Sequence, residues 1–151
     1  MMARLRLLIL SAALAAAPFP ARAGDAEIQV VQAWARRAAM VESGDPTAGR
    51  GNGAVYATLV NRGKESDALI GAASDVATAV EIHESYRDMG MTMMRPVDRV
   101  DVVAGQKLEM KPGGYHFMLL NLRRGLETGQ VVRLTLQFRR AGEIDVSAEV
   151  R

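Results

Sequence analysis

Lys107-Leu-Glu-Met-Lys-Pro-Gly-Gly-Tyr-His-Phe-Met-Leu-Leu-Asn-Leu122 is the stretch that decides how this chain folds. A short run, Lys107 to Met110, meets the turn Lys111-Pro112-Gly113-Gly114, and a longer apolar run follows from Tyr115 to Leu122. Proline fixes φ and removes a donor, while glycine admits left-handed backbone, so the chain reverses there. Side chains two apart in an extended strand share a face. His116 and Met118 therefore point one way, and Tyr115, Phe117 and Leu119 the other.

Working outward, the same grammar repeats. Ile28 to Trp34, Ala54 to Asn61, Ala68 to Ala73, Thr78 to His83, Arg99 to Val103, Val131 to Phe138 and Ile144 to Val150 all read as short strands. Turn signals separate them at Asn61-Arg62-Gly63-Lys64, Ala104-Gly105 and Ala141-Gly142. Ala39 to Gly53 is polar and glycine-rich and reads as a loop. His83 is expected at the end of its strand, with Glu84 to Asp88 as a polar segment beyond it. No long 3.6-residue period and no solenoid repeat is present. The expectation is one all-β domain, a sandwich or barrel.

The N-terminus stands apart. Arg4 and Arg6 precede an apolar run from Leu7 to Ala17, and Ala21-Arg22-Ala23 supplies a small-x-small cleavage site. These features in this order read as a secretory signal peptide over 1–23, leaving a domain at 24–151. The run is shorter than the roughly 20 apolar residues of a spanning helix, so no membrane insertion is expected after cleavage. Arg4, Arg6 and Arg22 leave with it, which takes the formal net charge from +2 to −1. Nucleic-acid binding then loses its compositional support, because Arg123-Arg124 and Arg139-Arg140 are isolated pairs.

Cysteine is absent. An exported domain of this kind holds together by packing alone, and it has no thiolate for metal binding or redox chemistry. There is no Gly-x-Ser-x-Gly elbow and no phosphate-cradling glycine loop, so no enzyme is expected.

What remains is a cluster of soft donors. The only two histidines, His83 and His116, fall with Met94 and Met118 into the spacing His-x10-Met-x21-His-x-Met. Beyond the leader there are seven methionines, and six lie between residues 89 and 118, a density that gap-filling in a core does not require. Two imidazoles and two thioethers suit Cu(I) far better than zinc, magnesium or calcium. Cu(II) is a possible second state, with water or a carboxylate such as Glu84 or Asp88 completing the shell. A blue-copper centre is excluded, since it needs a cysteine thiolate.

This spacing resembles the signature of the periplasmic copper chaperones of the PCu(A)C family. The likeness extends to Val80-Glu81-Ile82-His83-Glu84, Met94-Arg95-Pro96-Val97, Lys111 to Leu119, Ala33-Trp34-Ala35-Arg36 and Gly53-Ala54-Val55-Tyr56. It covers nearly everything from Ile28 to Val150. The resemblance implies a cupredoxin-like Greek-key β-barrel or sandwich that holds one Cu(I) at an accessible site, with His83, Met94, His116 and Met118 as ligands. It also implies a periplasmic protein that delivers copper to the binuclear copper centre of cytochrome c oxidase subunit II, alongside Sco-type proteins. Met89, Met91 and Met93 fall outside the signature; packing is expected for Met91 and Met93, and Met89 is left open. The loop from Met40 to Asn52 lacks the family's proline-rich character. Two rivals stand beside the chaperone reading: a copper storage or scavenging protein, and a metal-free methionine-rich interaction domain.

Overall fold

The structure is a computed structural model that describes residues 27–40 and 50–151. The expected leader at 1–23 and residues 41–49 of the expected loop lie outside the described residues. Ten strands and no helix are found among those described: β1 (Ile28–Ala35), β2 (Gly53–Asn61), β3 (Asp67–Ala73), β4 (Ala77–Asp88), β5 (Met91–Pro96), β6 (Val100–Val102), β7 (Lys107–Met110), β8 (Tyr115–Leu122), β9 (Val131–Phe138) and β10 (Gly142–Val150). Among the described residues no helix is long and apolar enough to cross a membrane.

Hydrogen bonding runs β4-β8-β2-β1-β10-β9-β3, and β3 then pairs β4 again at Ala72 and Val80 to close a barrel. Closure leaves those strands without an open edge. The β1–β10 pair is parallel, through Trp34 opposite Glu149 and Ala35 opposite Val150, and the other pairs are antiparallel. Three strands lie off the ring: β5 beside β4, β6 beside β3 and β7 beside β2.

Period-2 alternation fills most of the interior; in β8 it shifts phase at Asn121, whose φ of +50° brings Leu122 inward after Leu119. Phe117, Leu119 and Leu122 of β8 meet Val55 and Leu59 of β2, Leu69 of β3, and Val132, Leu134, Leu136 and Phe138 of β9, all within one buried cluster. Each such side chain contributes about 1.5–3 kcal/mol by leaving water, which is how a chain without disulfides holds its barrel.

Around β3 the polar groups are fully used. The Asn61 amide donates to the carbonyls of Glu65 (2.8 Å) and Val102 (3.0 Å) and accepts from Gly63 N (3.0 Å). Asp67, only 4% exposed, accepts from the backbone N–H groups of Ala68, Arg140 and Ala141 at 2.7–2.9 Å. These bonds tie the β2–β3 connection to the β9–β10 turn.

Two expectations need correction. β4 does not stop at His83 but runs on to Asp88, so His83 lies within the strand. Residues 91–96 form a strand, β5, that periodicity did not reveal. The reason is that every residue of β5 is exposed, so its sequence carries no buried alternation. Its partner and its turn make it a strand. Met89 (φ +46°) and Gly90 (φ +81°) are both left-handed, which is the two-residue hairpin geometry matched to strand twist.

Candidate metal site

The site is written in the register of three neighbouring strands. Directly paired residues of an antiparallel sheet share a face. His83 of β4 is opposite His116 of β8, and Glu81 is opposite Met118. On the other side of β4, Ser85 is opposite Met94 of β5. Glu81, His83 and Ser85 alternate on one face, so His83, Met94, His116 and Met118 all come to that face. Ile82 and Phe117, one residue away, face the core.

The two imidazoles lie lowest. His116 is 3% exposed and the His83 side chain 12%, with ring centroids 5.8 Å apart and planes at 55°. Metal–imidazole bonds of about 2 Å allow two rings on one ion to stand roughly 6 Å apart, so the spacing suits a shared ion. Met118 is half-buried and Met94 exposed, which puts the thioethers toward solvent. Met94, His116 and Met118 line a cavity of about 280 Å³ with Tyr56, Gly113 and Arg36 on its walls. His83 is not on that wall; it reaches the group through its contact with His116. Tyr56 backs His116 at 6.1 Å between centroids, and Trp34 in turn backs Tyr56 at 4.6 Å.

The hydrogen bonds fix which nitrogens are free. His116 Nδ1 lies 3.1 Å from the Gly114 carbonyl, which only accepts, so Nδ1 carries the proton and Nε2 keeps its lone pair. His83 Nε2 lies 2.7 Å from the Glu81 carboxylate, so there the proton sits on Nε2 and Nδ1 keeps the lone pair. His83 Nδ1 is buried and has no partner among the described residues. Leaving such an atom unpaired costs about 1–3 kcal/mol. Metal-binding histidines show this arrangement, with one nitrogen held by a carbonyl or carboxylate and the other turned to the ion. Burial, aided by the nearby His83, holds the His116 pKa below the ordinary histidine value against the opposing pull of Gly114 O. The ring is therefore neutral and available as a donor at pH 7.

Hard donors do not gather anywhere in the same way. Among the described residues no group of three or more His, Cys, Asp and Glu side chains could hold an ion. A larger depression of about 520 Å³ opens on β9 and β10, and it gathers no soft donors; part of its polar lining is already paired. Thr135 donates to Asp145 at 2.7 Å, and Ser74 donates to the Arg133 carbonyl at 2.6 Å.

This barrel has counterparts among known proteins. A family profile described as "Putative lipoprotein LpqE-like" matches residues 28–150. The chain belongs to the LpqE-like family. This LpqE-like chain is 30% identical to "Putative lipoprotein Lxx21020" of Leifsonia xyli subsp. xyli over 138 residues, 91% of this chain and 76% of that one. Its fold is that of the copper-bound PCuAC domain from PmoF2, at 23% identity and a TM-score of 0.63, covering 85% of this chain and 95% of the other. It also resembles the solution structure of CuI-DR1885 from Deinococcus radiodurans, at 29% identity and a TM-score of 0.52, covering 81% and 78%. The expected kinship with PCu(A)C chaperones and the expected all-β barrel both stand.

Two readings of the LpqE-like sequence are overturned. Glu84 and Asp88 are not placed to complete a metal shell. Both lie on the opposite face of β4, where Glu84 pairs with Arg95 at 2.7 Å; the carboxylate on the donor face is Glu81. Met91 and Met93 do not pack. They are 61% and 42% exposed, on the face away from Met94; they share the Ile82 face of β4, but opposite Asp88 and Tyr86, where the strand has run past the buried cluster. Sequence reading also gave no role to Glu81 or Tyr56 at the site. Alternation alone puts Glu81 beside His83, but nothing local announces that Tyr56 of β2 will stand against His116.

Proposed function

We propose that this protein is a periplasmic Cu(I) metallochaperone that carries one ion on His83, Met94, His116 and Met118. The observation that carries the reading is the pair of imidazoles whose lone-pair nitrogens, His83 Nδ1 above all, have no hydrogen-bond partner among the described residues, on a face that also holds two thioethers. Four neutral donors stabilise the monovalent ion better than the divalent one, and soft sulfur strengthens that preference. The similar Deinococcus radiodurans protein, whose solution structure is that of its CuI form, supports the same choice.

The burial gradient suits a carrier. The imidazoles are held by Glu81 and Gly114 and keep their positions, while Met94 stands at the solvent edge. An incoming thiolate or imidazole displaces Met94 first, then Met118, so copper leaves by stepwise ligand exchange. No bond of a substrate is made or broken, and the protein acts as a carrier and not as an enzyme. The PCu(A)C resemblance supports the binuclear copper centre of cytochrome c oxidase subunit II as the acceptor, with a Sco-type protein as co-worker. The lipoprotein description of the family supports export, in line with the leader read at 1–23.

A competition titration with a chromophoric Cu(I) chelator tests the proposal. One tight equivalent is expected, weakened sharply in a Met94→Leu, Met118→Leu variant that keeps the barrel. Absence of a tight equivalent, or affinity indifferent to both substitutions, removes this ligand set. Transfer is tested by mixing the loaded protein with an apo subunit II copper domain and following the acceptor's spectrum.

A further inference from the structure

Met89, Met91 and Met93 are outside the proposed ligand set, and the barrel does not bury them: they are 92%, 61% and 42% exposed. Among the described residues they belong to a small group of large apolar side chains left in water, and they crowd one hairpin. Met89 also occupies left-handed backbone at φ +46°, where Asn or Gly is the favoured residue. Neither packing nor turn geometry accounts for a thioether there.

We propose that Met91 and Met93, with Met89 above them, form an outer Cu(I) site from which the ion passes to Met94. The proposal rests on the metallochaperone reading above. Met91 is opposite Asp88 and Met93 opposite Tyr86, so the two thioethers share the face of the β4–β5 hairpin that lies away from His83 and Met94, beyond the end of the core. Glu84 on this face is already held by Arg95, whose guanidinium lies 5.3 Å from the Tyr86 ring. Residues two apart on a strand stand about 7 Å apart at Cα, and the flexible methionine side chain spans half of that.

Met93 and Met94 are chain neighbours that point to opposite faces. β5 is the terminal strand of the sheet path, and among the described residues it pairs with β4 alone. An ion held by Met93 therefore reaches Met94 around the open edge of one strand, without crossing packed protein. In the step one Cu–S bond forms as another breaks. Copper stays monovalent, no proton moves, and no other reactant is required. The outer site has thioethers and no imidazole, so it binds more weakly than the inner one and the ion runs inward.

Silver(I), a redox-inert stand-in for Cu(I), is titrated into the protein while methionine methyl and histidine ring signals are followed by NMR. The first equivalent is expected to shift His83, His116, Met94 and Met118, and the second to shift the methyls of Met91 and Met93. A Met89→Leu, Met91→Leu, Met93→Leu variant keeps the apolar surface and loses only sulfur. It should retain the first equivalent with unchanged affinity, lose the second, and load more slowly from a Cu(I)–chelator complex. Still methyls at Met91 and Met93, or an unchanged loading rate in the variant, overturns the outer site; an unchanged rate is also the outcome if the patch only docks a protein. Shifts at Met91 and Met93 with none at the histidines would keep the outer site and remove the inner one.

Discussion

Two buried polar regions of this barrel are built in opposite ways. At Asn61 and Asp67 each side chain is saturated, with three hydrogen bonds apiece to backbone groups. At His83 and His116 each ring has one nitrogen anchored and the other without a hydrogen-bond partner among the described residues, on a face that also carries two thioethers, which cannot donate a proton. A buried polar group with all its partners holds a fold together. A buried group kept short of a partner costs stability in the empty protein and regains it when a ligand arrives. The difference teaches where to look for function in a barrel that is otherwise uniform.

The comparison breaks most readily at the histidines. His83→Ala with His116→Ala should abolish tight Cu(I) binding while the barrel still folds, read by chelator competition and circular dichroism. A tight equivalent surviving that pair would mean that the free nitrogens hold nothing. Asp67→Ala should do the reverse. Three backbone N–H groups, one in a buried and two in part-buried hydrogen bonds, lose their acceptor, so stability should fall by about 2–4 kcal/mol in denaturant titration, with Cu(I) stoichiometry unchanged.

Glu81→Ala sharpens the contrast. It leaves every proposed ligand in place but releases the His83 tautomer, and loss of such a partner typically costs about 10–100-fold in metal affinity. A change confined to thermal stability would demote Glu81 to a surface contact. Acid probes the other ring. The His116 pKa is lowered by burial, so between that depressed value and the ordinary value of about 6.5 the unfolded chain holds more protons than the folded one. Stability of the metal-free protein is therefore full above about pH 6.5 and declines as pH falls below it. Melting curves from pH 7.5 to 5 should show this slope, and His116→Gln should flatten it. The smallest effect belongs to the hairpin tip: Met89→Asn relieves left-handed strain and should stabilise the protein by up to about 1 kcal/mol, without touching the inner site.

Much of the fold was legible because burial writes itself into alternation. β8 reads correctly from Tyr115 to Leu122, since Phe117, Leu119 and Leu122 must reach the core and the Pro112-Gly113-Gly114 turn fixes where the strand begins. β5 was illegible for the complementary reason: all of its residues are exposed, and only pairing with β4 makes it a strand. The extension of β4 past His83 was lost with it, and so was the true placement of Glu84 and Asp88.

The sequence by itself determined the chemistry of this protein: which donors exist, that none is a thiolate, and that His116 and Met118 share a face. Those are properties of side chains and of one strand's alternation, and they need no distant partner. Only the tertiary structure decided that His83 stands opposite His116, that Met94 joins them while Met91 and Met93 turn away, and that Glu81 and Gly114 free one nitrogen on each ring. Register between strands far apart in the chain is set by the packing of the whole barrel, and a shift of one residue would send every donor to the other face.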